Sequence, residues 1–296
     1  MNLVVGATGY LGGAIVSTLA AQGRPVRAMV RPTSDPGRVE NLKSVGAGLV
    51  EGDLKDRSSL DVACQGCTAV ITTASTTISR QEGDTLRSVD LEGQKRLVDA
   101  ARAAGVSRYV YVSIYSSADR EYPSPLTEAK RAVEAHLKES GLTYTILRPS
   151  FFMEVWLSPI LGFDYVNAKA RICGSGENPV SWISLGDVAK FAVASLDNPG
   201  AENATLELGG PQALSPLEVV GIFKERGGHA FEVEYVPEMA LRGQRAGAAT
   251  DLDKSFAALM LSLAAGDPVV MNGTLQVIPM ALTSVQDYAD RVYNAA

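Results

Sequence analysis

Gly6, Gly9 and Gly12 are the first residues whose type and spacing suit a particular chemistry. They follow a short apolar run, Asn2 to Val5, that fits a strand buried on both faces. After them Ala14 to Ala21 reads as a helix, and Leu11, Ile15 and Leu19 put one apolar stripe on it. A tight turn from strand to helix needs backbone angles that a Cβ obstructs. A phosphate held on bare N–H groups also needs close approach of the main chain. The helix start adds unpaired donors and the positive end of its dipole. Thr8 lies inside the turn, where its hydroxyl could reach a phosphate oxygen. The spacing is G-x-x-G-x-x-G, not the G-x-G-x-x-G of the commonest dinucleotide fold. The alternative is a plain glycine turn joining a core strand to a core helix. The N-terminal position and the flanking pattern favour nucleotide binding.

The end of the second strand bears on which nicotinamide cofactor is taken. An acidic residue there would bind the adenosine ribose hydroxyls and repel a 2′-phosphate. Here the chain reads Val30-Arg31-Pro32-Thr33-Ser34. Arg31 can clamp a phosphate through paired donors, and Thr33 or Ser34 can add hydroxyls, so NADP(H) is favoured over NAD(H). A surface arginine after a strand is the plainer reading. Asp53, after the third strand, either accepts the adenine amino group or caps the turn before Lys55. Thr72 to Ser75, after the fourth, are small enough to form a wall for a nucleotide or are simply a loop.

These residues need elements to position them, and the periodicity supplies strict alternation. Strands are expected at Asn2–Val5, Val26–Val30, Gly48–Glu51, Ala69–Thr72, Tyr109–Ser113 and Thr143–Leu147. Helices are expected between them, among them a long one from Gly83 to Ala104 and another from Leu126 to Ser140. Such alternation over about 150 residues predicts an α/β fold with a doubly wound parallel sheet. Ligands of such sheets sit at the carboxyl ends of the strands, near the switch in strand order. After Pro149 the rhythm changes, and Phe151 to Tyr165 is rich in aromatics. The expected division is a nucleotide-binding domain over 1–150, with 181–208 returning to it. Residues 151–180 and 209–296 make a smaller C-terminal α/β lobe over the sheet's ligand edge.

Composition excludes more than it selects. With 296 residues, 46% of them hydrophobic and 20% charged, the chain reads as an ordinary globular enzyme. A net charge of −6 argues against a nucleic-acid surface, which would want a basic stripe. The apolar run Phe256 to Ala265 is too short to span a bilayer, no N-terminal signal is visible, and a cytoplasmic location follows by default. Nothing here selects an oligomeric state. Cys64 and Cys67 form a C-x-x-C. Zinc would want two more ligands, yet Cys173, His136 and His229 stand at no ligand spacing, and a redox pair would want a helix N-terminus. Buried cysteines and no metal are expected.

As a set, GATGYLGG, VRAMVRP, GDL, VSRYVYVS and AKRAVEAHLKESGLTYTILRPSFFME, closing with SWISLGDVAKFAVASLDNP, resemble the NmrA-like group of atypical short-chain dehydrogenases/reductases over most of residues 1–210. The resemblance implies an NADP-binding Rossmann domain and a small C-terminal substrate lobe. It carries Gly6, Thr8, Gly9, Tyr10, Leu11 and Gly12 into the family's phosphate loop, and Arg31 into its 2′-phosphate contact. Asp53 and Leu54 match its adenine contact, and Thr73 and Ala74 its cofactor wall. Lys130 matches the lysine that reaches the nicotinamide ribose and serves the proton chemistry, and Pro149 to Phe152, with Phe151 between, match the segment lining the nicotinamide. One departure stands out. The related enzymes carry Tyr-x-x-x-Lys, whereas Leu126 stands four residues before Lys130. Ser113 occupies the place of the family's serine, and Tyr115 or Tyr122 could supply a phenol from a loop. Lys130 also has a plainer reading, as an exposed helix pair with Glu134.

Two functions follow from these readings. The first is a reductase passing hydride from NADPH to a small apolar carbonyl, quinone or activated alkene, with Lys130 handling the proton and Ser113 or Tyr115 assisting. The second is a dinucleotide sensor without turnover, which the missing tyrosine favours. An epimerase shares the glycine spacing but normally needs that tyrosine. A hydrolase lacks any G-x-S-x-G elbow. Phe151, Phe152, Trp156, Phe163, Tyr165 and Trp182 are either core or the wall of a cleft for a flat apolar or aromatic substrate.

Overall fold

The computed structural model describes all residues except 79, 116–120 and 295–296. The expected alternation is realised as β1 (Asn2–Val5), α1 (Tyr10–Ala21), β2 (Val26–Val30), α2 (Pro36–Ser44), β3 (Gly48–Glu51), α3 (Arg57–Cys64) and β4 (Ala69–Thr72). It continues through α4 (Glu92–Ala103), β5 (Arg108–Val112), α5 (Pro125–Glu139) and β6 (Tyr144–Pro149). Local chemistry sets several of these starts. The Asp35 carboxylate accepts the Arg38 N–H ahead of α2, and that of Asp56 accepts the Ser58 N–H ahead of α3. β1 and β4 are buried at every position, as central strands covered on both faces must be.

Seven strands form one sheet in the order β11-β6-β5-β4-β1-β2-β3, where β11 is Ala204–Leu208. Every pairing from β3 through β6 is parallel. The order reverses between β1 and β4, so that is where the strand ends open a crevice. One expected element differs. The long helix does not begin at Gly83. A π-helical segment, Leu86–Leu91, capped by Thr85, precedes α4. Its wider turn absorbs the mismatch between the buried set Leu86, Val89 and Asp90 and the next buried set, Gly93, Gln94, Leu97 and Val98.

The chain divides into two compact units. The first holds Met1–Ile114, Glu128–Arg148 and Val188–Leu206, and the second holds Tyr115–Thr127, Pro149–Asp187 and Glu207–Ala296. Only part of the 181–208 stretch therefore sits with the sheet. β10 (Val180–Ile183) instead pairs with β7 (Phe151–Phe152) and β12 (Ala213–Leu214), because backbone hydrogen bonds override a boundary drawn from composition. The rest of the second unit comprises α6 (Met153–Trp156), β8 (Phe163–Asp164), β9 (Lys169–Cys173), α8 (Pro216–Gly227), β13 (Glu232–Val236) and the helices α9 (Glu238–Ala246), α10 (Asp251–Ala265), α11 (Asn272–Val277) and α12 (Val285–Asn294). α7 (Leu185–Ala194) connects the two. β13, β9 and β8 form a small mixed sheet.

Each unit has its own apolar core. Leu3, Val70, Tyr109 and Ile146 centre the first, and Phe151, Trp182, Phe223 and Tyr288 the second. The aromatic cluster expected as core or cleft wall is thus largely core. Phe151 meets Trp156 edge-on at 4.9 Å and lies 6.2 Å from Trp182, and Phe163 meets Phe223 at 4.8 Å.

Candidate functional site

The glycine turn sits at the switch point, and its three glycines do different work. Gly6 has φ +84°, and a Cβ there would stand 2.8 Å from the Ala74 nitrogen and from Thr73 Oγ1. Gly12 has no room either, since its Cβ would meet the Gly6 carbonyl oxygen at 2.1 Å. Gly9 is the N-cap of α1 and donates its N–H to the Gly6 carbonyl at 2.9 Å, while a Cβ there would find only that oxygen, at 3.2 Å. No side chain caps α1, so the first-turn N–H groups keep the pull on an anion that a capping oxygen would quench. Thr73 and Ala74 thus lie against the turn, and the Thr73 N–H donates to the Val5 carbonyl.

Arg38, a residue that sequence reasoning missed, also reaches this turn. Its guanidinium donates to the Thr8 carbonyl at 2.8 Å and lies 4.9 Å from the ring centre of Tyr10, which is exposed. No local pattern announces it, because the contact depends on α1 and α2 lying side by side.

The expected phosphate donors after β2 are already engaged. Arg31 Nη1 donates to Asp84 Oδ2 at 2.7 Å, and Lys55 Nζ donates to Asp84 Oδ1 at 2.7 Å. Thr33 Oγ1 donates to Gln81 Oε1, and Ser34 Oγ accepts the Arg31 N–H. Asp53 Oδ1 accepts the Lys55 N–H at 2.8 Å, the contact expected of a turn cap. Leu54 is buried in the first core.

Lys130 is not an exposed helix pair with Glu134. It is 4% exposed, its Nζ lies 3.6 Å from Asp90 Oδ1, and it stands 5.3 Å from the ring centre of Tyr111. Asp90 is held in turn, its Oδ2 accepting from the Thr76 N–H at 3.0 Å and the Thr76 hydroxyl at 2.7 Å. Burial pulls the Lys130 ammonium below its ordinary value, against the charge of Asp90, which pulls it up. Among the described residues, Asp90 Oδ1 and the Tyr111 hydroxyl are buried without a hydrogen-bond partner. These two oxygens can each take a further hydrogen bond.

Glu134 takes other partners. It accepts from Arg148, from Arg131 Nη1 at 2.8 Å and from the Ser113 hydroxyl at 2.5 Å. Burial pushes its carboxyl up, but the hydrogen bonds from Arg148 and Ser113 and the two guanidinium charges outweigh that and hold it below the ordinary glutamate value. The Ser113 proton is thus committed to a buried carboxylate, which argues against the assisting role expected of that hydroxyl. In the second unit the Tyr115 hydroxyl donates to the Pro268 carbonyl at 3.1 Å, and the Tyr122 hydroxyl accepts from Arg242 Nη2 at 3.1 Å. Leu126 is 2% exposed, and its N–H donates to Ser255 Oγ. Pro149 closes β6 and is buried, whereas Phe152 is half-buried. An open cleft of about 390 Å³ in this unit is lined by polar and apolar residues alike, among them Gln212, Asn272, Val269, Met271 and Leu275.

All three cysteines are free and buried, and burial pushes the Cys64 thiol up to about 12. Among the described residues no group of His, Cys, Asp and Glu side chains is arranged to hold a metal ion, and no helix is long and apolar enough to cross a membrane.

A family model described as the NmrA-like family matches residues 2–265. The chain belongs to that family. It is 34% identical over 256 residues to the isoflavone reductase homolog IRL of Zea mays, covering 82% of this chain and 79% of that protein. It is 32% identical over 249 residues to the photosystem II assembly factor Ycf39 of Synechocystis, covering 82% and 72%. It is 29% identical over 281 residues to the NAD(P)H azoreductase of Xenophilus azovorans, covering 94% and 92%. Among solved structures, the NADPH-dependent quinone oxidoreductase QOR2 of Escherichia coli complexed with NADPH superposes with a TM-score of 0.79 at 20% identity, over 99% of this chain and all of that one. That likeness establishes the doubly wound fold.

Proposed function

We propose that this protein is an NADPH-dependent reductase that delivers hydride to a small apolar carbonyl, quinone or activated alkene in the cytoplasm. The observation that carries the reading is the uncapped α1 start behind a turn in which Gly6 and Gly12 leave no space for a Cβ. That cradle suits the pyrophosphate of a dinucleotide, held on N–H groups at the positive end of α1. Gly6, Thr8, Gly9, Tyr10, Leu11 and Gly12 would hold it, with Thr73 and Ala74 as the wall beside it. Arg31 would take the 2′-phosphate. The bound cofactor supplies the hydride.

The chain's own part is to position and to handle a proton. Lys130, buried beside Asp90, would hold the nicotinamide ribose and donate to the oxygen or carbon that takes the proton. Asp90 keeps the ammonium in place, and Thr76 keeps Asp90 in place. The isoflavone reductase homolog and the azoreductase support the reductase class. A second reading, a dinucleotide-binding regulator without turnover, is favoured by one observation. Leu126, a buried aliphatic, stands where the proton-passing tyrosine of related enzymes would be.

Titration with NADPH, followed by its consumption against a panel of quinones, aldehydes and azo compounds, tests both. The reductase reading expects turnover on at least one of them, reduced ~100-fold in Lys130→Ala. Tight binding with no turnover on any would select the regulator, and no binding at all would refute both.

A further inference from the structure

We propose that Asp84 is a resident anion that occupies the cation pair Arg31 and Lys55, and so sets how strongly this protein prefers adenine nucleotides bearing a 2′-phosphate. The inference rests on the NADP reading above.

Two cations from separate elements converge on one carboxylate. Arg31 leaves the end of β2 and Lys55 follows β3, and each puts a nitrogen 2.7 Å from a different oxygen of Asp84. The Asp84 side chain is 1% exposed, while those of Arg31 and Lys55 are 24% and 32% exposed. The cations can therefore be approached from solvent, whereas the anion between them is covered. The Asp84 carboxylate also accepts the Gln81 N–H at 2.9 Å, and Gln81 is hydrogen-bonded both ways to Thr33. Arg31 Nη1, Lys55 Nζ and the Thr33 hydroxyl are thus all held by the segment carrying Asp84.

A carboxylate and a phosphate ask for the same thing from a guanidinium, a fork of N–H donors and a positive charge. A dianionic 2′-phosphate beside Arg31 must share that cation with Asp84 or displace it. Lys55 becomes part of the same contest, because releasing Asp84 from one cation loosens it from both. A nucleotide with a free 2′-hydroxyl meets no such competition. Asp84 therefore subtracts from NADP(H) binding alone, and Lys55, which no motif assigns, is a second phosphate cation.

Isothermal titration of the full-length protein with NADPH, NADH, 2′,5′-ADP and 5′-AMP tests this. Asp84→Asn keeps the shape and removes the charge. It is expected to tighten NADPH and 2′,5′-ADP by ~10-fold while NADH and 5′-AMP stay within ~2-fold. Lys55→Met, at a more accessible side chain, is expected to weaken the two 2′-phosphate ligands by ~5-fold or more and spare the others, which keeps the test open if Asp84→Asn fails to fold. Equal changes for both ligand classes, or no change in either variant while wild type binds, would overturn the inference alone. Wild type binding neither dinucleotide would overturn the NADP reading and this inference with it.

Discussion

Gly12 and Gly13 are neighbours in α1, and alanine should act on them with opposite sign. Helix propensity alone favours alanine at both, by about 1 kcal/mol each. At Gly13 nothing opposes that gain, because a Cβ would stand 3.5 Å from the Ala7 carbonyl oxygen, an ordinary contact. At Gly12 the Cβ would stand 2.1 Å from the Gly6 carbonyl oxygen, 2.6 Å from its carbonyl carbon and 2.9 Å from the Ala7 Cα. All three are backbone atoms of the turn, so no side chain can swing aside. Relief requires moving the turn by about an ångström, whereas even one extra methylene in a packed core costs about 1–3 kcal/mol. Gly12→Ala is therefore expected to lose about 3 kcal/mol or more after its propensity gain, and Gly13→Ala to gain about 0.5–1 kcal/mol. Thermal melts followed by circular dichroism should show Tm falling by roughly 5 °C or more in the first and rising by about 1–2 °C in the second. The same Gly12 variant should lose NADPH binding, because the displaced atoms are those of the phosphate turn. A Gly12→Ala protein that melts at or above wild type would refute the steric account of this loop.

Other perturbations read out other parts of the molecule. Glu134→Gln should lose about 3 kcal/mol near neutral pH, since it weakens a buried ion cluster. Because the folded-state value of Glu134 lies below its ordinary 4.5, this stabilisation is present above that value and is lost as pH falls through the folded value. Urea midpoints of wild type and variant should therefore converge on acidification, and a gap independent of pH would refute the assignment. Gly9→Ala, whose Cβ would meet only the Gly6 carbonyl oxygen, at a tight 3.2 Å, should still fold with at most a small drop in Tm yet bind NADPH more weakly, which titration and melting together would reveal. Thiol reagents should label Cys64, Cys67 and Cys173 only after unfolding, because all three are buried and burial raises each thiol. Rapid labelling of the native protein would contradict that.

Much of the first unit was legible in residue order. Apolar runs, period-four stripes, glycines at turns and caps before helices are local, so β1, the glycine turn and the alternation of strand and helix through β6 follow from short stretches read one at a time. Pairing between distant charges is not local. Spacing offered Glu134 to Lys130, four residues away on one helix, yet Lys130 took Asp90, from the π-helical turn, and Glu134 took Arg148, Arg131 and Ser113. Likewise Arg31 read as a free phosphate clamp, and only the folded chain brings Asp84 and Lys55 to it. Helical period says which face a charge occupies, and two charges can share a face without meeting. Which of several opposite charges it meets is settled when elements far apart in sequence pack and exclude water, since an unpaired buried charge is too costly to leave.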